Sequence, residues 1–152
     1  MVKYIHTNIV AKDWKKLAEF YINVFNCKPL FPERDLYGEK IELATGIKNA
    51  SLKGIHLLLP GYNEEGPTLE IFEYNISEKS SKQINSNGFA HIAFLVDNLD
   101  YYLNRLIENG GQQIGAITKL DIKDVGQLTF VYCKEPEGNF IEIQVKFFTF
   151  SK

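Results

Sequence analysis

Residues 4–10, Tyr-Ile-His-Thr-Asn-Ile-Val, alternate in character and predict a short β-strand. After Asp13, the residues Trp14, Leu17, Ala18, Phe20, Tyr21, Val24 and Phe25 recur at helical spacing. They make one wide apolar stripe and predict a helix over 13–25, with Asp13 as its N-cap. The same succession then returns. Residues 89–96, Phe-Ala-His-Ile-Ala-Phe-Leu-Val, predict a strand, and Leu99, Tyr102, Leu103, Leu106 and Ile107 predict a helix over 98–109. Gly110 and Gly111 supply its stop. The two segments align without a gap, because His91 follows His6 by 85 positions and Leu99 follows Trp14 by 85.

Each strand–helix unit is followed by further predicted strands, near 37–45, 52–59 and 68–75 in the first half and near 113–119, 126–133 and 139–147 in the second. Turn residues join the last two strands of each half: Gly61 to Pro67 first, and Glu135-Pro136-Glu137-Gly138 second. The stretch Asn75–Gly88 is polar and reads as a connector. The organisation is a duplication, with module one at 1–75, a connector at 76–87 and module two at 88–152 of a single domain. The predicted fold class is α+β: two tandem βαβββ modules forming a curved mixed sheet cup, with the helices on its outer face.

Composition narrows the function. A chain of 152 residues suits one ordinary domain, and a formal charge of −2 argues against general nucleic-acid or anionic-membrane partners. No apolar run approaches the roughly 20 residues of a membrane span, and the N-terminus shows no signal-peptide core, so a cytoplasmic location is expected. Cys27 and Cys133 form no close metal-type pair and read as two separate buried thiols.

Strand parity locates the chemistry. Tyr4, His6, Asn8 and Val10 share one face of the first strand, and Phe89, His91, Ala93 and Leu95 one face of its repeat. Thr68, Glu70, Phe72 and Tyr74 oppose Leu69, Ile71 and Glu73, while Glu142, Gln144 and Lys146 oppose Ile141, Ile143, Val145 and Phe147. One face suits packing against helices, with Glu73 the exception, and the other suits a concave pocket lining. His6, Glu70, His91 and Glu142 thus fall on the first and last strands of both halves. Two imidazoles and two carboxylates suit one divalent metal, Ni, Co, Zn, Mn or Fe(II), with open positions, rather than a closed structural zinc site. Asn8, Phe72, Tyr74 and Gln144 share those faces and are expected substrate-binding residues.

These residues resemble the vicinal oxygen chelate superfamily, which includes glyoxalase I, methylmalonyl-CoA epimerase, extradiol dioxygenases and bleomycin-resistance proteins. The resemblance runs over about residues 4–147 and is carried by Tyr4–Val10, Glu19-Phe20-Tyr21, Gly88–Phe94 and Glu135-Pro136-Glu137-Gly138-Asn139-Phe140-Ile141-Glu142. The last resembles the family's D-P-[DE]-G-N-x-x-E, with Glu135 where Asp is usual. It implies that His6, Glu70, His91 and Glu142 match the four metal positions of glyoxalase-like members. It further implies a lyase or isomerase that removes a proton beside a carbonyl and stabilises an enediolate, with Glu142, or else Glu70, as the base. A thiol hemiacetal or an acyl-CoA is the implied substrate class. Family members pair their modules within a chain or across two chains, and the sequence leaves both arrangements open. The exposed edges of each module favour a homodimer. A metal-free, ligand-sequestering protein of the bleomycin-resistance kind is the non-enzymatic alternative.

Other residues carry less. His56, among apolar neighbours, reads as a structural histidine. Glu33, Asp35, Glu39 and Glu42 read as surface charge, although one of them would serve as a second acid in an epimerase. Only two arginines occur, Arg34 and Arg105, and lysines such as Lys40 or Lys146 would have to assist in holding the two carboxylates of glutathione. The segment Thr45–Leu52 is long for a compact glyoxalase I and resembles the loop before the third strand in epimerase-like members.

Overall fold

Asp13 starts the first helix as its side chain predicts, accepting a hydrogen bond from the backbone N–H of Lys16 at 3.1 Å. In the computed structural model, which describes residues 1–147, this helix is α1 (Trp14–Phe25). It ends at Asn26, whose left-handed backbone (φ 57°) lets its N–H reach the carbonyl of Ile22 at 3.1 Å. Glu73, the one charge on an otherwise apolar strand face, accepts a hydrogen bond from the N–H of Trp14 at 3.3 Å. It therefore satisfies a second free donor at the helix start, where negative charge also meets the positive end of the dipole.

The chain divides into two compact units, Met1–Ser80 and a second from Ser81 onward. In the first, β1 (His6–Val10), β4 (Thr68–Tyr74), β3 (Ser51–Leu58) and β2 (Lys28–Tyr37) form a mixed sheet in the order β1-β4-β3-β2. Only β1 and β4 run parallel. Helix α1 packs across β3 and β4, and Leu17, Tyr21 and Val24 of the helix and Ile55, Leu57, Leu69 and Ile71 of the strands are all buried. Each such side chain contributes on the order of 1.5–3 kcal/mol by leaving water. The opposite parity of the same strands is left for chemistry.

The strand predicted at 37–45 is corrected. The strand β2 lies earlier, and residues Glu39–Thr45 form a short helix, α2. Gly38 (φ 91°) releases the chain from β2 and Gly46 (φ 71°) closes the helix, while Glu39 and Glu42 sit in its acidic first turn. The helix buries no residue, so no apolar stripe marks it. Strand β2 was hidden by Pro29 and Pro32, which are compatible with an edge strand whose register shifts between Leu30 and Arg34.

The second unit repeats the plan with β5 (His91–Leu95), α3 (Leu99–Glu108), β6 (Gln112–Gln113), β7 (Thr118–Ile122), β8 (Gly126–Lys134) and β9 (Phe140–Phe147). The sheet order is β5-β9-β8-β6, with β7 also pairing β8. The strand predicted at 113–119 is thus two pieces, both antiparallel to β8. Asn98 caps α3, accepting from the N–H of Tyr101 at 3.0 Å. Leu99, Leu103 and Leu106 are buried, whereas Ile107 faces outward. The α+β class with two βαβββ-type units holds, and the hydrogen-bonded ladders make two mixed sheets, one per unit, rather than a single one.

The turn before β9 is tied by Glu135, whose carboxylate accepts from the backbone N–H groups of Glu137 and Asn139 and from the Asn139 side chain. Its side chain is buried, and burial pushes the carboxyl above its usual range although these hydrogen bonds pull the other way. Glu135 is thus a structural clamp.

Candidate metal centre

In the first unit β4 lies between β1 and β3, and this arrangement surrounds Glu70. Asn8 stands opposite it on β1 and His56 opposite it on β3. Asn8 Nδ2 donates to Glu70 Oε2 at 3.0 Å, and His6 Nε2 lies 3.4 Å from the same oxygen. His56 Nε2 lies 3.1 Å from the other oxygen, Oε1. The ligand atoms of His6, His56 and Glu70 all fall within 4.8 Å of one another.

The His56 ring is held on two sides. Its Nδ1 is 3.1 Å from the hydroxyl of Thr68, and Phe72 meets it edge-on with ring centroids 6.1 Å apart. Phe72 lies over Gly54, where any Cβ would collide with the Phe72 ring and the Ile71 carbonyl. Burial pushes the His56 imidazole below its ordinary pKa, the Glu70 charge opposes this, and Arg34 and His6 add to the lowering.

The second unit repeats the geometry around Glu142, with β9 between β5 and β8. His6 pairs with Thr68, two residues before Glu70, and His91 pairs with Phe140, two residues before Glu142. The diagonal contact is accordingly the same: His91 Nε2 lies 3.0 Å from Glu142 Oε2. Ala93 and Tyr132 flank Glu142 where Asn8 and His56 flank Glu70. The Tyr132 ring stands 5.2 Å from that of His91, centroid to centroid.

Each unit therefore brings together its own predicted histidine and glutamate, and both carboxylates are largely screened, at 15% and 11% side-chain exposure. Imidazole nitrogens beside carboxylate oxygens are a donor set fit for a divalent transition metal. The first unit brings such donors together in His6, His56 and Glu70, and the second in His91 and Glu142. His56, read from sequence as a structural histidine, stands beside His6 and Glu70 in the first cluster. The signal was present in the strand itself, where Gly54 and His56 alternate with the apolar Ile55 and Leu57.

The remaining expected residues fall as follows. Tyr74 and Gln144 are half-buried, Phe72 is buried, and Asn8 is engaged with Glu70. Arg34 donates to the carbonyl of Pro32, and Arg105 on α3 donates to the Tyr101 hydroxyl at 2.8 Å. Asp35 pairs with Lys53 at 3.9 Å on the surface, Glu33 is exposed, and Glu39 and Glu42 belong to α2. Cys27 and Cys133 are buried free thiols, pushed by burial to about 12 and about 11. Neither is a thiolate nucleophile near neutrality. No helix among the described residues is long and apolar enough to cross a membrane.

Comparison with known proteins adds family context. The model of the glyoxalase/bleomycin resistance protein/dioxygenase superfamily matches residues 3–143. A glyoxalase family protein from Bacillus cereus superposes with a TM-score of 0.79 at 15% identity, covering 96% of this chain and 95% of its own. A glyoxalase/bleomycin resistance protein/dioxygenase domain from Frankia sp. EAN1pec gives 0.62 at 16% identity, covering 97% and 99%. The fosfomycin resistance protein FosX of Listeria monocytogenes, solved with Mn(II) and sulfate, gives 0.54 at 17% identity, covering 97% and 93%. Among curated proteins no significant match is found.

Proposed function

Since the chain belongs to the glyoxalase/bleomycin resistance protein/dioxygenase superfamily, we propose that it is a divalent-metal-dependent lyase or isomerase of glyoxalase I type. The observation that carries this reading is the repeated imidazole–carboxylate diagonal, 3.4 Å between His6 and Glu70 and 3.0 Å between His91 and Glu142. The proposed ligands are these four residues, and the proposed metal is Ni, Co, Zn, Mn or Fe(II); the Listeria neighbour was solved with Mn(II). When bound, such an ion supplies positive charge to two neighbouring substrate oxygens and so acidifies the adjacent C–H.

The proton is assigned to Glu142. Glu70 is fastened by Asn8, His6 and His56, whereas Glu142 is in contact with His91. The less fastened carboxylate is the better suited to swing toward a carbon, take its proton and return it. Asn8, Phe72, Tyr74 and Gln144 are proposed to bind substrate, of thiol-hemiacetal class. A second reading is an acyl-CoA epimerase; Arg34 and Arg105 are both engaged within their own elements, which weakens a guanidinium grip on glutathione. The same proposal includes a cytoplasmic location and a homodimer, which sedimentation at micromolar concentration tests.

The deciding experiment measures metal content in the purified protein, His91→Ala and Glu142→Gln, together with turnover. One divalent ion per chain is expected, largely lost in His91→Ala and kept without turnover in Glu142→Gln. Turnover is followed with methylglyoxal plus several thiols, and by solvent-deuterium exchange into methylmalonyl-CoA. Metal without either reaction would leave the site and remove the named chemistry. A metal-free protein that tightly binds a flat aromatic drug would establish the sequestering alternative.

A further inference from the structure

We infer that His56 is itself a metal ligand beside His6 and Glu70, so that the first unit offers two imidazoles and one carboxylate. This rests on the metal-binding reading above and adds a donor that the four-residue set does not contain.

The geometry is local to one sheet. His56 and His6 approach the two different oxygens of a single carboxylate, at 3.1 Å and 3.4 Å, and their rings stand 5.7 Å apart at a near right angle. The three ligand atoms lie within 4.8 Å of one another, a separation that a single ion bridges with small side-chain rotations. Strand pairing fixes this proximity, because His56 is the residue directly opposite Glu70.

Thr68 supplies the second argument. A metal-binding imidazole presents one nitrogen to the ion and gives its other N–H to a fixed acceptor. His56 has that arrangement: Nε2 points at Glu70 and Nδ1 meets the Thr68 hydroxyl at 3.1 Å, with Thr68 buried at 8% exposure. A hydroxyl both donates and accepts. Without an ion it donates to Nδ1 while Nε2–H bonds Glu70; with one it accepts from Nδ1–H, freeing the Nε2 lone pair. A residue limited to one role would hold His56 in one tautomer. The Phe72 ring, seated over Gly54, keeps the imidazole at this angle.

The duplication supplies the third. The position equivalent to His56 is Tyr132, so an extra nitrogen donor is present in one unit only. Adding it makes the set richer in nitrogen, which favours Co, Ni and Zn over Mn and Mg.

The test uses the full chain, labelled with nitrogen-15 and loaded with Zn(II) or cadmium-113. The chain has three histidines, His6, His56 and His91, so long-range proton–nitrogen spectra hold three imidazole patterns, assigned with His6→Gln and His56→Gln. The expected result is a His56 Nε2 signal split by coupling to cadmium-113, with Nδ1 still protonated. Coupling at His6 and His91 with an unshifted His56 would overturn this inference and leave the four-ligand reading intact. Coupling at His6 and His56 without His91 would uphold it and correct that reading. No coupling and no bound metal would remove both. Ni(II) affinity should also fall by about tenfold or more in His56→Phe, with Mn(II) affinity changing less.

Discussion

His56 and Tyr132 occupy the same register position in the two units, one directly opposite Glu70 and the other directly opposite Glu142. The two units share the histidine–glutamate diagonal and differ in what flanks it. Two carboxylates in the same backbone setting consequently meet different company: Asn8, His6 and His56 in one unit, His91 in the other. In the proposed function, the carboxylate held from three sides is the ligand and the other the base.

Replacing Glu70 with Gln should therefore weaken metal binding more than replacing Glu142 with Gln. Calorimetric titration with Ni(II) is expected to show a Kd at least about tenfold higher for Glu70→Gln than for Glu142→Gln. Equal losses in the two variants would remove the division of labour between the carboxylates.

Gly54→Ala should destabilise the first unit by about 1–3 kcal/mol, the usual range for forcing a methyl group into packed space. The new Cβ meets the Phe72 ring and the Ile71 carbonyl, so β3 and β4 must separate or Phe72 must turn away from His56. Urea unfolding measures the cost, and an unchanged midpoint would contradict the close approach.

Glu73→Ala should lower stability by about 0.5–1 kcal/mol through loss of the second acceptor at the start of α1. Metal binding should be untouched, because Glu73 lies on the helix-facing side of β4. Denaturant melts with and without metal separate the two effects.

Glu135 gives a pH dependence with a defined sign. Its folded-state pKa is raised above the ordinary 4.5, so the folded chain holds this proton more tightly than the unfolded one. Its contribution is fully present below pH about 4.5 and is lost as pH rises through the raised value. Glu135→Gln removes this titration. Stability of the native chain relative to Glu135→Gln should fall as pH rises across that window, as read by urea melts at stepped pH. A difference independent of pH would show that the carboxyl does not titrate there.

The sequence made some of this legible and hid the rest for physical reasons. The stripe from Trp14 to Phe25 is long and wide enough that only a helix satisfies it, and α1 follows within a residue. Parity placed His6 on the same sheet face as Glu70 and His91 on the same face as Glu142, and each pair is in contact. Helix α2 escaped notice because it buries nothing, and β2 because prolines mask an edge strand. Glu73 looked like an error in an apolar face until the free N–H of Trp14 supplied its reason. The nearness of His56 to Glu70 is not legible in the sequence, because it arises only across the ladder between β3 and β4, and a single strand does not display its neighbours.

The prolines of β2 bear on how copies of this chain meet one another. Two of its ten residues lack a backbone N–H, and the register slips between Leu30 and Arg34, so the row of donors along this sheet margin is broken. A strand from another molecule finds an interrupted template there, which guards against runaway cross-β stacking. Self-association through this margin must accordingly depend on side-chain fit, a contact that single surface substitutions can tune or abolish without disturbing the sheet.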